Sequence, residues 1–236
     1  PAPECTPSEV GVPSPRGDRV AVLVSGLDPG PDGGPITELD MQALGLDLDD
    51  VVRFSYGGGR VADGGAGPGW AVRLEASRQV ASDVHRPVEE SADLLAQLLW
   101  DIMQERPGVI LEVYGHSLGG LVALEGVARV AAEPDAPRLR LVTLSTPHGG
   151  SLLAEGLDVL GALVGVAEAF HLGGRPEVGE PVLADLAVGA RRPVPAGVEA
   201  LSLVASGDLF VPAGRAELVG ARTVVVDLLG TDAHGG

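Results

Sequence analysis

One stretch, Val109–Gly120 (VILEVYGHSLGG), limits what this chain can fold into more than any other. An apolar run through Val109, Ile110, Leu111, Val113 and Tyr114 breaks abruptly at Gly115-His116-Ser117-Leu118-Gly119-Gly120, and a helical pattern starts at once. That order is strand, tight turn, helix, with the serine at the apex of a G-x-S-x-G core. Glycines two residues before and after the serine are what such a turn needs, because side chains there would strike neighbouring backbone. The turn would lift the Ser117 hydroxyl clear of the sheet and aim the free N–H groups of a helix N-terminus at a developing oxyanion. The alternative is a glycine-rich turn with an incidental serine. The strand before it and the helix after it favour the catalytic reading.

The rest of the chain supplies a setting for that turn. Its 236 residues suffice for one well-buried α/β domain, and no internal repeat argues for two. Hydrophobic residues make up 45% and aromatics only 3%, so packing must rest on Val, Leu and Ala. The formal charge of −17 argues against nucleic acid or an anionic membrane surface as a partner. Lysine and asparagine are absent, which looks like the codon bias of a GC-rich genome. A lone cysteine, Cys5, excludes an internal disulfide and leaves cytoplasmic and secreted settings both open. No run is long and uninterrupted enough for a transmembrane helix, so stable membrane insertion is not expected.

Residues 1–18 are rich in Pro, Ser and Gly and read as an extended or disordered arm, with the domain proper over 19–236. Arg19–Ser25 (RVAVLVS) is a continuous apolar run of the kind expected for a parallel strand buried on both faces. A short helical pattern follows over Pro35–Leu46, then a strand over Asp50–Tyr56 and a long glycine-rich loop over Gly57–Gly69. Pro87–Arg106 is a helix, with Pro87 at its start, Glu89 and Glu90 in its first turn and Pro107-Gly108 stopping it. After the helix over Leu118–Ala132 come strands at Arg140–Leu144, Val198–Ala205 and Thr223–Leu229. Strands alternating with helices predict a parallel sheet of about six strands, with ligands bound at the strands' carboxyl ends. An insertion over 151–197 interrupts the alternation. Its first part, Leu152–Leu172, is apolar, and reads either as helices covering the sheet edge or as a lid over an acyl pocket.

A serine hydroxyl needs a base, and the base needs an orienting acid. In a doubly wound hydrolase these follow in the order Ser, Asp or Glu, His. Asp208 stands just past the strand after the insertion, in SGD-x-x-VP, and His234 just past the last strand. Both should therefore emerge at the same sheet edge as Ser117. Asp232 competes with Asp208 for the acid. Asp208 is preferred because an orienting carboxylate should come from a separate rigid strand end. Among the other histidines, His116 is the x of the turn, with a side chain expected to leave it away from Ser117. His85 has no strand end facing the serine, and His171 lies in the insertion. His148 lies at a strand end and reads as a loop-packing or pocket-wall residue. Two main-chain donors are needed for the oxyanion: Leu118 N–H, and Leu27 N–H from the loop Ser25-Gly26-Leu27. No cluster of His, Cys and carboxylates has metal-ligand spacing, so neither metal nor cofactor is expected.

With these residues in hand, the chain resembles the lipase and esterase branch of the α/β-hydrolase superfamily over about Arg19 to His234. GHSLGG (Gly115–Gly120) looks like the lipase nucleophile turn, and LVSGLDPG (Leu23–Gly30) is similar to the oxyanion segment, with Ser25 where those lipases commonly carry histidine. STPHGGS (Ser145–Ser151) looks like the next strand end of bacterial triacylglycerol lipases and of esterases related to glycosylphosphatidylinositol inositol-deacylase, and FSYGGG (Phe54–Gly59) is reminiscent of the second group. Ser206-Gly207-Asp208 and His234 match the acid and base positions. The resemblance implies an α/β-hydrolase fold and a serine hydrolase cleaving small-molecule carboxylic or lipid-like esters. Thioesterase or acyltransferase chemistry on the same triad, and a non-catalytic binding protein of the same fold, are the alternatives.

Overall fold

The computed structural model describes residues 18–27, 34–62, 69–151, 180–208 and 210–227. Six parallel strands form the main sheet: β1 (Arg19–Val24), β2 (Val51–Arg53), β5 (Ile110–His116), β6 (Leu139–Leu144), β7 (Glu199–Ala205) and β8 (Arg222–Val226), in the spatial order β2-β1-β5-β6-β7-β8. Two short strands, β3 (Arg60–Val61) and β4 (Ala76–Ser77), pair in a separate ribbon. The helices are α1 (Val88–Glu105), α2 (Leu118–Ala131) and α3 (Glu180–Val188).

The apolar run of β1 is explained by its position between β2 and β5, with both faces covered. Val20, Val22 and Val24 pack with Leu111, Val113 and Leu141 under α1 and α2, while Ala21, Leu23 and Tyr114 pack on the opposite face against Ile36, Met41 and Leu46. Helix α1 begins after Pro87, carries Glu89 and Glu90 in its first turn, and buries Leu95, Leu98, Leu99 and Ile102 completely.

Two local expectations change. The helical pattern at Pro35–Leu46 is one turn of 3-10 helix, Pro35–Glu38, followed by turns. Leu39 is extended and Gly45 has φ of 75°, so the segment is too short to propagate a helix, and its apolar residues reach the core from turns instead. The stretch read as one long loop after Tyr56 contains β3, whose partner β4 comes after a turn of 3-10 helix at Ala71–Arg73. A two-residue strand leaves no periodicity to read.

Leu152–Leu172, read as edge-covering helices or as a lid, lies outside the described residues, as do residues 1–17 of the arm expected over 1–18. The end of the insertion is helix α3, whose Val182 and Leu186 join the main core. Asp185 accepts the first N–H of α1, from Val88, at 2.7 Å and also binds Arg191, so a carboxylate from the insertion satisfies a helix end far away in sequence.

One line of charge crosses the sheet. Glu112, buried within the apolar run of β5, accepts from Arg19 of β1 at 2.8 and 2.6 Å, from Arg140 of β6 at 2.7 Å and from the Tyr114 hydroxyl at 3.0 Å. Arg140 continues the line to Glu199 of β7 at 3.0 Å. Ala21, Glu112, Arg140 and Glu199 are register neighbours on four adjacent strands. Burial alone would raise the Glu112 pKa. The hydrogen bonds from Arg19, Arg140 and Tyr114 together outweigh it and hold the carboxyl below its ordinary value.

Candidate active site

Because all six strands run parallel, their carboxyl ends share one edge, and four loops of interest leave it: Ser25–Leu27 after β1, Ser117 after β5, Ser145–Ser151 after β6 and Ser206–Asp208 after β7.

Ser117 occupies the turn between β5 and α2 with φ 53° and ψ −124°, a conformation that an L-residue adopts only under constraint. The constraint is visible. Ser117 N–H donates to Leu144 O of the neighbouring strand at 2.9 Å, and its own carbonyl accepts from Gly120 N–H at 3.0 Å. A side chain at Gly119 would come within 2.3 Å of the Val24 and Ser25 carbonyl oxygens, and one at Gly120 within 1.9 Å of Thr146 Oγ1. The glycines after the serine thus let α2 begin hard against two other strand ends. Ser117 itself is half-buried, and α2 starts at the next residue, Leu118, with its N-terminus at the turn.

Asp208 is buried, and its Oδ1 accepts N–H groups from Phe210 at 2.8 Å and Val211 at 2.9 Å. Two main-chain donors on one oxygen fix the carboxylate's orientation. Leu27 is half-buried and packs on the main core. His234 and the competing Asp232 lie outside the described residues, as does His171. The structure therefore assembles Ser117, Leu118, the Ser25–Leu27 loop and Asp208 along one sheet edge.

His116 is buried, with Nδ1 3.3 Å from where a side chain on Gly26 would lie, so its ring is tucked beside the first loop. His148 packs its own loop. It is 5% exposed, and Nε2 lies 3.0 Å from Thr143 Oγ1. Burial pushes its pKa down to about 4. The neutral ring is thus the folded form, while the unfolded chain takes up a proton below about 6.5. Its contribution to stability is full above that pH and is lost as pH falls toward 4. Between pH 7 and pH 5 the protein should lose about 2 kcal/mol more than a His148→Gln variant, whose amide does not titrate. Urea midpoints at the two pH values measure this, and parallel losses in the two proteins would refute it.

Two residues that sequence reasoning passed over belong to this edge. Ser145 has φ 44°, which turns the chain after β6 and sets Thr146 against Gly120. A positive φ on a serine leaves no trace in sequence. Tyr56 donates its hydroxyl to Ser25 O at 2.7 Å from a fully buried position. Its place in FSYGGG marked the segment but not the contact. Among the described residues, no group of three His, Cys, Asp or Glu side chains could hold a metal ion, and no helix is long and apolar enough to cross a membrane.

No protein-family model matches the chain, and no curated protein matches it in sequence. Solved structures do match. A lipase-esterase related protein from Clostridium acetobutylicum is 13% identical with a TM-score of 0.56, over 93% of this chain and 90% of that one. The mature form of Bacillus licheniformis lipase BlEst2 is 17% identical with a TM-score of 0.60, over 95% and 89%. RedJ, a thioesterase from the prodiginine biosynthetic pathway of Streptomyces coelicolor, is 19% identical with a TM-score of 0.54, over 99% and 93%. At such identities the likeness is one of architecture, and it runs through the same parallel sheet and flanking helices. What this chain shares with all three, over more than nine-tenths of its length, is the α/β-hydrolase fold.

Proposed function

We propose that the protein is a serine hydrolase that cleaves carboxylic esters through an acyl-enzyme on Ser117. The observation that carries the reading is the constrained Ser117 backbone, φ 53°, at the junction of β5 and α2. A residue is held in such a conformation at a cost of about 1–3 kcal/mol, and that strain recurs where a nucleophile must be presented.

The Ser117 hydroxyl oxygen attacks the ester carbonyl carbon while the His234 imidazole takes the hydroxyl proton. The carbonyl oxygen becomes an oxyanion, and Leu118 N–H and Leu27 N–H donate to it. The C–O bond to the alcohol then breaks as the imidazolium returns the proton to the leaving oxygen. Water, activated by the same imidazole, attacks the acyl carbon and releases the acid and free Ser117. Asp208 orients the imidazole and stabilises its charged form. Its backbone-held Oδ1 supports this role. The apolar residues of Leu152–Leu172 favour lipid-like acyl groups over short polar ones. The names of the structural neighbours, lipase, esterase and thioesterase, agree with acyl transfer to water as the reaction class.

A fluorophosphonate probe should modify the wild-type protein at Ser117, located by mass spectrometry of the labelled peptide. A p-nitrophenyl ester series of increasing acyl length should then show turnover rising with chain length. Faster turnover of acyl thioesters than of the matched oxygen esters would reassign the protein as a thioesterase. Absence of label at Ser117 would leave a binding protein with this fold.

A further inference from the structure

The reading above uses a donor, Leu27 N–H, that follows a glycine. Gly26 sits where a side chain would be tight. A side chain there would come within 3.1 Å of Ser117 Cβ and 3.3 Å of His116 Nδ1, crowding the nucleophile. Glycine is also the residue with the most backbone freedom, and a donor aimed at a transition state loses its advantage if it must be ordered during the reaction. Something else has to hold this peptide still.

The Ser25 carbonyl is gripped from two sides. The Tyr56 hydroxyl donates to it at 2.7 Å, and the Cα of Gly119 in α2 backs onto it, with a side chain there meeting the Ser25 oxygen at 2.3 Å. The Ser25–Gly26 peptide is therefore wedged between the phenol and the first turn of the helix that supplies Leu118 N–H. Tyr56 is itself held. It is fully buried, it stacks at a tilt on Phe54 with ring centroids 5.2 Å apart, and its carbonyl accepts from Arg86 Nη1 at 2.8 Å. Arg86 in turn binds Asp83 at 2.9 Å. The following glycines tie the segment to its surroundings: Ser55 N–H donates to Gly59 O at 3.0 Å, and Ser77 Oγ donates to Gly58 O at 2.6 Å. Burial also drives the Tyr56 pKa well above its ordinary value, so the phenol remains a donor at every pH of interest.

The geometry points to Tyr56 as a positioning residue for the oxyanion loop: its hydroxyl locks the Ser25–Gly26 peptide so that Leu27 N–H is set against Leu118 N–H before substrate arrives. Tyr56 touches neither substrate nor reacting atoms. It acts through the peptide it holds, and this explains why a rigid, glycine-rich FSYGGG segment packs under the loop after β1. The inference rests on the proposed acyl-enzyme chemistry.

The test is Tyr56→Phe in the full chain, assayed with a p-nitrophenyl ester and with a fluorophosphonate probe. Removing the hydroxyl frees the peptide without changing the ring. The expected result is a fall in kcat of about 10- to 100-fold with KM within about twofold, and a matching fall in the second-order rate of Ser117 labelling. Ile102→Val, a core change in α1, serves as the control for lost stability, and should lower thermal stability while leaving kcat near wild type. If kcat of the folded Tyr56→Phe protein is within about twofold of wild type, or falls no more than that of the control, the positioning role is overturned. A wild-type protein that neither takes the label nor turns over any ester overturns the acyl-enzyme reading and this inference with it, an outcome distinct from wild-type turnover that survives loss of the hydroxyl.

Discussion

Ser117→Gly is expected to abolish ester hydrolysis, by about 10⁴-fold or more in kcat, and yet to be more stable than Ser117→Ala by about 1 kcal/mol. Both variants lose the proposed nucleophile, and with it the proposed covalent step. They differ in backbone. At φ 53° an alanine keeps the steric conflict between Cβ and carbonyl that the serine bears, whereas glycine does not. Relief of about 1–3 kcal/mol is partly offset by the larger unfolded-state entropy of glycine, about 1 kcal/mol, which leaves the net gain stated. For a chain of this size that is a rise of about 2–4 °C in Tm over the alanine variant. Thermal melts of the two proteins side by side measure it. An alanine variant more stable than the glycine variant by about 1 kcal/mol would mean that the turn stores no strain, and would remove the support on which the catalytic reading stands.

Glu112→Ala is expected to cost about 3–5 kcal/mol of folding stability. The carboxylate is 2% exposed and serves two guanidinium groups and a phenol. Removing it takes from Arg19, whose side chain is 15% exposed, its only carboxylate partner among the described residues, leaving that guanidinium the Leu44 and Gly45 carbonyls. The loss should exceed that of Glu199→Ala, at the exposed end of the same line, by several-fold, because an exposed pair contributes about 0–1 kcal/mol. Urea unfolding of both variants tests the ranking. Equal and small losses would show that the line of charge is screened like a surface network. The consequence reaches the site, since β5 carries the serine: a slip of one residue in its register would turn Tyr114 and Glu112 to the opposite face and move Ser117 with them.

How far the site was legible from sequence depended on the kind of interaction. Ser117, Leu118 and the strand-turn-helix around them were readable because G-x-S-x-G is a local solution to a local steric problem. The strands were readable because burial on both faces demands continuous apolar runs, and β1 and β5 have them. Asp208 was readable as a strand-end residue, since alternation of strands and helices already requires the strand ends to share an edge. The two-residue strands β3 and β4 were not, and neither was the failure of Pro35–Leu46 to become a helix, because both outcomes depend on what the segment packs against.

By itself, then, the sequence determined the parallel α/β architecture, the strand-turn-helix around Ser117 and the edge that the strand ends share, all of which follow from short-range sterics and hydrophobic periodicity. Only the tertiary structure decided that Glu112 is a buried charge answered from two flanking strands, that Asp208 is held by the backbone just after it, and that Tyr56 reaches 31 residues back to grip Ser25. Periodicity says which face a side chain occupies. Its hydrogen-bond partner is chosen by how distant strands and loops come to lie side by side, and no local pattern encodes that choice.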